Sequence, residues 1–91
     1  MAKTAYHLII EGKVQGVSYR NWTYDNAKGL NVKGWVRNLE DGTVEAHFEG
    51  KKEEVEKLIE LCYEGPILAN VSRIEQKKVE LENFDNFRVL Y

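Results

Sequence analysis

Residues 34–50 read Gly34-Trp35-Val36-Arg37-Asn38-Leu39-Glu40-Asp41-Gly42-Thr43-Val44-Glu45-Ala46-His47-Phe48-Glu49-Gly50, or GWVRNLEDGTVEAHFEG. Val44, Ala46 and Phe48 alternate with Glu45, His47 and Glu49, the period of a strand with one apolar face. Upstream, Val32, Gly34 and Val36 alternate with Lys33, Trp35 and Arg37. Asp41-Gly42 lies between the two runs, and this dipeptide favours a tight reversal. The stretch is therefore predicted to be two antiparallel strands, ended at Gly50.

Working outward, residues 51–63 place Val55, Leu58, Ile59 and Cys62 on one helical stripe, with Glu and Lys opposite. Gly65-Pro66 stops that helix. Residues 70–81 read as a strand whose alternation slips between Val71 and Ile74, as at a bulge. A polar turn containing Phe84 follows, and Phe87, Val89 and Tyr91 form a short last strand. Toward the N-terminus, Tyr6, Leu8 and Ile10 alternate with His7, Ile9 and Glu11, a first strand. Residues 12–17, GKVQGV, are a glycine-framed loop. Residues 17–28 carry Tyr19 and Ala27 at helical spacing that continues to Leu30, with Trp22 beside them and Gly29 weakening the end. The order is βαββαβ with a short final strand. It implies the α+β class and a ferredoxin-like sandwich, with two helices on one face of a four- to five-stranded, mostly antiparallel sheet.

The totals narrow the functional classes. Ninety-one residues make a single domain, 1–91, large enough for one core. A formal charge of −2 weighs against nucleic acid as a partner, since phosphate-backbone binding usually needs a basic face. One cysteine excludes an internal disulfide and a multi-cysteine metal site, and suits a cytoplasmic location. The first residues carry no apolar leader, and no apolar run is long enough to span a membrane.

Residues 12–20, GKVQGVSYR, raise the functional question. The first N–H groups of a helix lack intrahelical partners and carry partial positive charge, and a concave loop of such donors is an anion nest. Gly12 and Gly16 allow a tight turn and a close ligand. Arg20 adds a permanent cation at a helix start, where the dipole disfavours it unless an anion is bound. A plain turn with an exposed arginine competes with this reading. The spacing matches neither the dinucleotide fingerprint nor the Walker loop. Asn38 ends its strand just before the turn; its amide is able to orient a water, or simply to begin the turn.

GKVQGVSYR, Ala27, Leu30, GWVRNLEDGTVEAHFEG and Gly65-Pro66 with Ala69 and Val71 together resemble the acylphosphatase family. The likeness runs from Gly12 to about Ile74 and resumes at Phe87. Such enzymes hydrolyse a carboxylic–phosphoric anhydride to carboxylate and inorganic phosphate with neither metal nor cofactor. The resemblance implies that Arg20 and the backbone amides of Gln15, Gly16, Val17, Ser18 and Tyr19 hold the phosphoryl oxygens, and that Asn38 positions the attacking water. It also implies a monomer acting on a small acyl phosphate, with inorganic phosphate or sulfate as competing anions. Three positions depart from the family pattern. Asn31 stands where glycine is common, Tyr19 replaces a frequent phenylalanine, and Ser18 is either a helix cap or a tolerated residue. For Tyr91, a frayed end is favoured over a carboxylate paired with Arg20.

Three other readings compete: a non-catalytic acylphosphatase-like module, a carbamoyl-phosphate-binding domain of a larger maturation enzyme, and a ferredoxin-like RNA-binding domain. The missing zinc-ligand spacings disfavour the maturation enzyme, and the acidic balance disfavours RNA binding. Cys62 reads as a buried structural thiol. His7 and His47 are expected on alternate faces of separate strands, and two histidines make no zinc site. Glu40 and Asp41 read as turn residues.

Overall fold

The computed structural model describes residues 2–91. The elements are β1 (Lys3–Lys13), α1 (Tyr19–Gly29), β2 (Lys33–Asn38), β3 (Val44–Lys51), α2 (Lys52–Glu64), β4 (Asn70–Val79) and β5 (Phe87–Val89). One five-stranded sheet runs in the order β4-β1-β3-β2-β5. β1 is antiparallel to β3 and β4, and β2 is antiparallel to β3. β5 joins β2 in parallel. The expected α+β sandwich is therefore present, with the fifth strand making the sheet mixed. Among the described residues, no helix is long and apolar enough to cross a membrane.

The core lies between the helices and one sheet face. Leu8, Ile10, Val36, Val44, Ala46 and Phe48 supply the sheet side. Val55, Leu58, Ile59 and Cys62 of α2 bury the stripe that their spacing predicts. On α1 the buried residues are Tyr19, Thr23 and Ala27, while Leu30 is only half-buried. Thr23 enters the core because its hydroxyl donates to the Tyr19 carbonyl (2.8 Å), which removes the cost of a bare hydroxyl there. The predicted slip in β4 is a bulge: Glu11 faces Arg73 and Gly12 faces Val71, leaving Ser72 as the extra residue.

The expectation for the histidines is corrected. His7 sits directly opposite His47 in the β1–β3 register, so both project from the same face. That face is not simply open. His47 is buried, stacked on Trp35 and met edge-on by Phe84 from the segment that crosses the sheet between β4 and β5. Its Nε2 donates to Glu49 Oε1 at 2.9 Å. Glu49 also accepts the Glu82 and Phe84 amides, each at 2.9 Å. Burial raises the Glu49 pKa, but the hydrogen bonds from His47 and the two amides outweigh it and hold the carboxyl below its ordinary range. His7 instead donates to Glu45 at 2.7 Å, the carboxylate that also takes the Arg37 Nε–H.

Topology brings the functional ends together. β1 and β2 flank β3 and both run antiparallel to it, so they run parallel to each other. β5 follows β2 in the same direction. The loop after β1, the last residue of β2 and the residues after β5 therefore meet at one end of the sheet, where these strands finish.

Candidate active site

The loop after β1 is shaped by two left-handed residues. Gly16 has φ of 73° and Ser18 has φ of 66°. A side chain at Gly16 would meet only open space, so glycine is needed there for its backbone and not for room. Ser18 takes the same region at a cost of about 1–3 kcal/mol, a strain that persists only where the surroundings impose it. This geometry delays the helix to Tyr19, two residues beyond the expected start. Ser18 occupies the cap position but makes no side-chain cap bond, which excludes the capping role. Its left-handed backbone turns it away from the extended conformation that a capping serine uses.

The consequence is a set of unclaimed donors. The first bond of α1 is from Trp22 N–H to the Ser18 carbonyl (2.9 Å). Among the described residues, the amides of Gln15 to Arg20 donate no turn or cap hydrogen bond. The first turn of α1 holds no acidic residue, whereas that of α2 holds Glu53 and Glu54. The positive end of α1 thus has no acidic side chain in its first turn.

Six of the seven residues singled out from sequence line one cleft of about 130 Å³: Gln15, Gly16, Ser18, Tyr19, Arg20 and Asn38. The seventh, Val17, turns its side chain into the core and leaves only its backbone to the loop. Arg20 Nη1 donates to the Leu90 carbonyl at 3.1 Å, and its guanidinium carbon lies 4.6 Å from the Tyr91 ring centre. Among the described residues Arg20 pairs with no carboxylate, unlike Arg37 and Arg73, so most of its five donors are unspent. Asn38 Oδ1 is buried without any hydrogen-bond partner. An unpaired buried acceptor costs ~1–3 kcal/mol, and this one lines the cleft.

The neighbours have plainer duties. Asp41 accepts the Thr43 hydroxyl (2.6 Å) and amide (3.0 Å), which lowers its pKa and closes the β2–β3 turn as expected. Asn31 takes positive φ, 58°, in its turn, a region that asparagine tolerates. Burial pushes the Cys62 thiol up to about 12, which leaves it unreactive. Sequence reasoning misses Leu90, and for Tyr91 it weighs a carboxylate partner of Arg20 and favours a frayed end, whereas the Tyr91 ring lies against the guanidinium; both residues reach the cleft through the parallel pairing of β5. It also missed the side chain of Gln15, which reaches two carbonyls of the β2–β3 turn.

A model of the acylphosphatase family matches residues 6–89. An acylphosphatase of Haloarcula marismortui is 47% identical over 89 residues, 98% of this chain and 98% of the relative. One from Chloroflexus aurantiacus is 58% identical over 69 residues, 76% of this chain and 75% of the relative. The structure of an acylphosphatase from Coxiella burnetii superposes with a TM-score of 0.94 at 36% identity, covering 97% of this chain and 93% of that one. With this fold, this cleft and these relatives, the chain belongs to the acylphosphatase family and is an acyl phosphate hydrolase.

Proposed function

We propose that the cleft performs the hydrolysis with Arg20, the amides of residues 15–19 and Asn38 in distinct roles. The phosphoryl oxygens of a small-molecule acyl phosphate sit in the amide nest, with the guanidinium alongside. Asn38 Oδ1 accepts a hydrogen bond from the attacking water and so aims the water's lone pair at phosphorus. The water oxygen bonds to phosphorus as the bond to the bridging oxygen breaks. That bridging oxygen leaves with its electron pair as a carboxylate. A carboxylate is a weak base and needs no general acid. The water proton passes to a phosphoryl oxygen, giving inorganic phosphate. Charge spread over the phosphoryl oxygens makes positioning and electrostatics the main sources of rate.

The single observation that carries this reading is the buried, unpartnered Oδ1 of Asn38 in a cleft it shares with loop amides that donate no turn bond and with an arginine that pairs with no carboxylate among the described residues. The chain works on this reading as one domain and as a monomer in the cytoplasm; the buried, unpaired Cys62 is consistent with a reducing compartment. The test is phosphate release from benzoyl phosphate with EDTA present. Asn38→Ala is expected to lower kcat by ~10²–10³, the effect of losing one group that acts on the developing transition state, with little change in phosphate binding. Arg20→Ala is expected to lose at least as much and to weaken phosphate binding as well. Wild-type turnover in Asn38→Ala would remove the role assigned to it.

A further inference from the structure

The side chain of Gln15 does something its backbone amide does not. Its Nε2 donates to the Leu39 carbonyl and to the Thr43 carbonyl, each at 2.8 Å. Both acceptors are carbonyl oxygens, so the nitrogen must face them and both of its protons are spent. The two carbonyls stand at the two ends of the β2–β3 turn, which is itself closed by Leu39 N–H to the Thr43 carbonyl at 2.9 Å. Leu39 is the residue after Asn38. Gln15 is one residue before Gly16, in the loop whose amides face the cleft. No other side-chain hydrogen bond among the described residues joins this loop to this turn.

We infer that Gln15 is a positioning residue that clamps the anion-binding loop to the turn carrying Asn38 and so fixes the water-holding amide relative to the phosphorus. The inference rests on the roles proposed above for Asn38 and the loop. Its physical basis is a separation of duties. The loop and Arg20 locate the phosphoryl group, and β2 ends at the residue that locates the nucleophile. Gln15 and Asn38 lie 23 residues apart in sequence, one after β1 and the other at the end of β2. In-line attack needs their relative placement held within a fraction of an ångström, and a misplacement of about 1 Å costs about 10²-fold in rate. A bidentate amide spanning both ends of the turn supplies that constraint. Because the clamp acts on the water and not on the phosphate, its loss is read in kcat and not in anion affinity.

The experiment compares Gln15→Met, which keeps the length and volume without donors, and Gln15→Ala with the wild type. The measurements are kcat for benzoyl phosphate, the inhibition constant of inorganic phosphate, and the melting temperature. The expected result is a kcat about 10- to 100-fold lower with the phosphate constant changed less than about threefold. Because Gln15 works through Asn38, the double variant Gln15→Met/Asn38→Ala is expected to turn over within about twofold of Asn38→Ala alone. Three results would overturn the clamp: unchanged kcat with only a lower melting temperature, a phosphate constant that rises as far as kcat falls, or losses that multiply in the double variant. The single variants separate the two proposals. Impaired Asn38→Ala with unimpaired Gln15 variants removes the clamp alone. Full turnover in both Arg20→Ala and Asn38→Ala removes the site assignment and the clamp with it.

Discussion

Tyr19→Phe isolates one hydroxyl whose contribution can be worked out from the helix it touches. The Tyr19 ring is buried against Trp22, with centroids 5.5 Å apart, and Gly65 packs so close that a Cβ there would stand 2.9 Å from ring carbon Cε2. Phenylalanine keeps all of that contact. What it loses is the hydrogen bond from the phenol to the Cys62 carbonyl, 2.6 Å long and buried. That carbonyl lies in the last turn of α2, and an ordinary helix would satisfy it with the amide four residues on. Residue 66 is proline and has no amide hydrogen. The nearby Gly65 N–H is already given to the Leu61 carbonyl at 3.0 Å. The phenol is thus the group that satisfies Cys62, and burial correspondingly pushes the phenol pKa far above its usual value.

Removing the hydroxyl strands a buried carbonyl, at a cost of ~1–3 kcal/mol. For a domain of this length each kcal/mol lowers the melting temperature by ~4–8 °C, so a mid-range loss of about 2 kcal/mol corresponds to ~8–16 °C. Thermal unfolding followed by circular dichroism reads this directly, and urea midpoints give a second measure. The hydroxyl points at α2 and not into the cleft, so kcat at 25 °C, where both proteins are folded, is expected within about twofold of wild type. A melting temperature within about 2 °C of wild type would refute the reasoning, because it would mean that the carbonyl finds water or that the bond contributes nothing net.

Three further outcomes are expected. Glu49 titrates below its unfolded value, so its stabilisation is fully present above about pH 4.3 and is lost as pH falls through the lower folded value. Urea midpoints between pH 6 and pH 3 should therefore fall less steeply in Glu49→Gln than in wild type, and equal slopes would count against the role given to its hydrogen bonds. Gly34→Ala would set a Cβ 1.8 Å from the His47 carbonyl at φ of 133°, and is expected to destabilise by roughly 3 kcal/mol or more, read as a lower urea midpoint. Inorganic phosphate and sulfate are expected to inhibit competitively, and less strongly as NaCl rises from 0.05 to 0.5 M because salt screens the partly exposed Arg20; noncompetitive inhibition would place the anion outside the cleft.

These residues differ in how far the sequence alone exposes them, and the difference has a physical origin. The β2–β3 hairpin and the stripe of α2 are written in short-range periods and in Asp41-Gly42, so reading neighbours suffices. The bulge at Ser72 was visible for the same reason, as two apolar residues three apart. Arg20 and Asn38 needed family likeness, because an arginine in a glycine loop and an asparagine at a strand end each have an ordinary structural explanation. For Ser18 the sequence leaves open a helix cap or a tolerated residue, and the φ of 66° with no side-chain cap bond decides against the cap. The remaining contacts depend on strand order, which periodicity does not encode. His7 and His47 share a face because of register, not parity along either strand. Leu90 meets Arg20 because β5 adds to β2 in parallel and not at the other edge of the sheet, a choice set by Leu90 N–H to the Val36 carbonyl (2.8 Å) and by Phe87 packing on Phe48. Had β5 paired antiparallel, its end would point away from Asn38 and the guanidinium would lose both its carbonyl and its aromatic neighbour. The placement of the cation in the cleft is thus a property of the last short strand as much as of the helix that carries it.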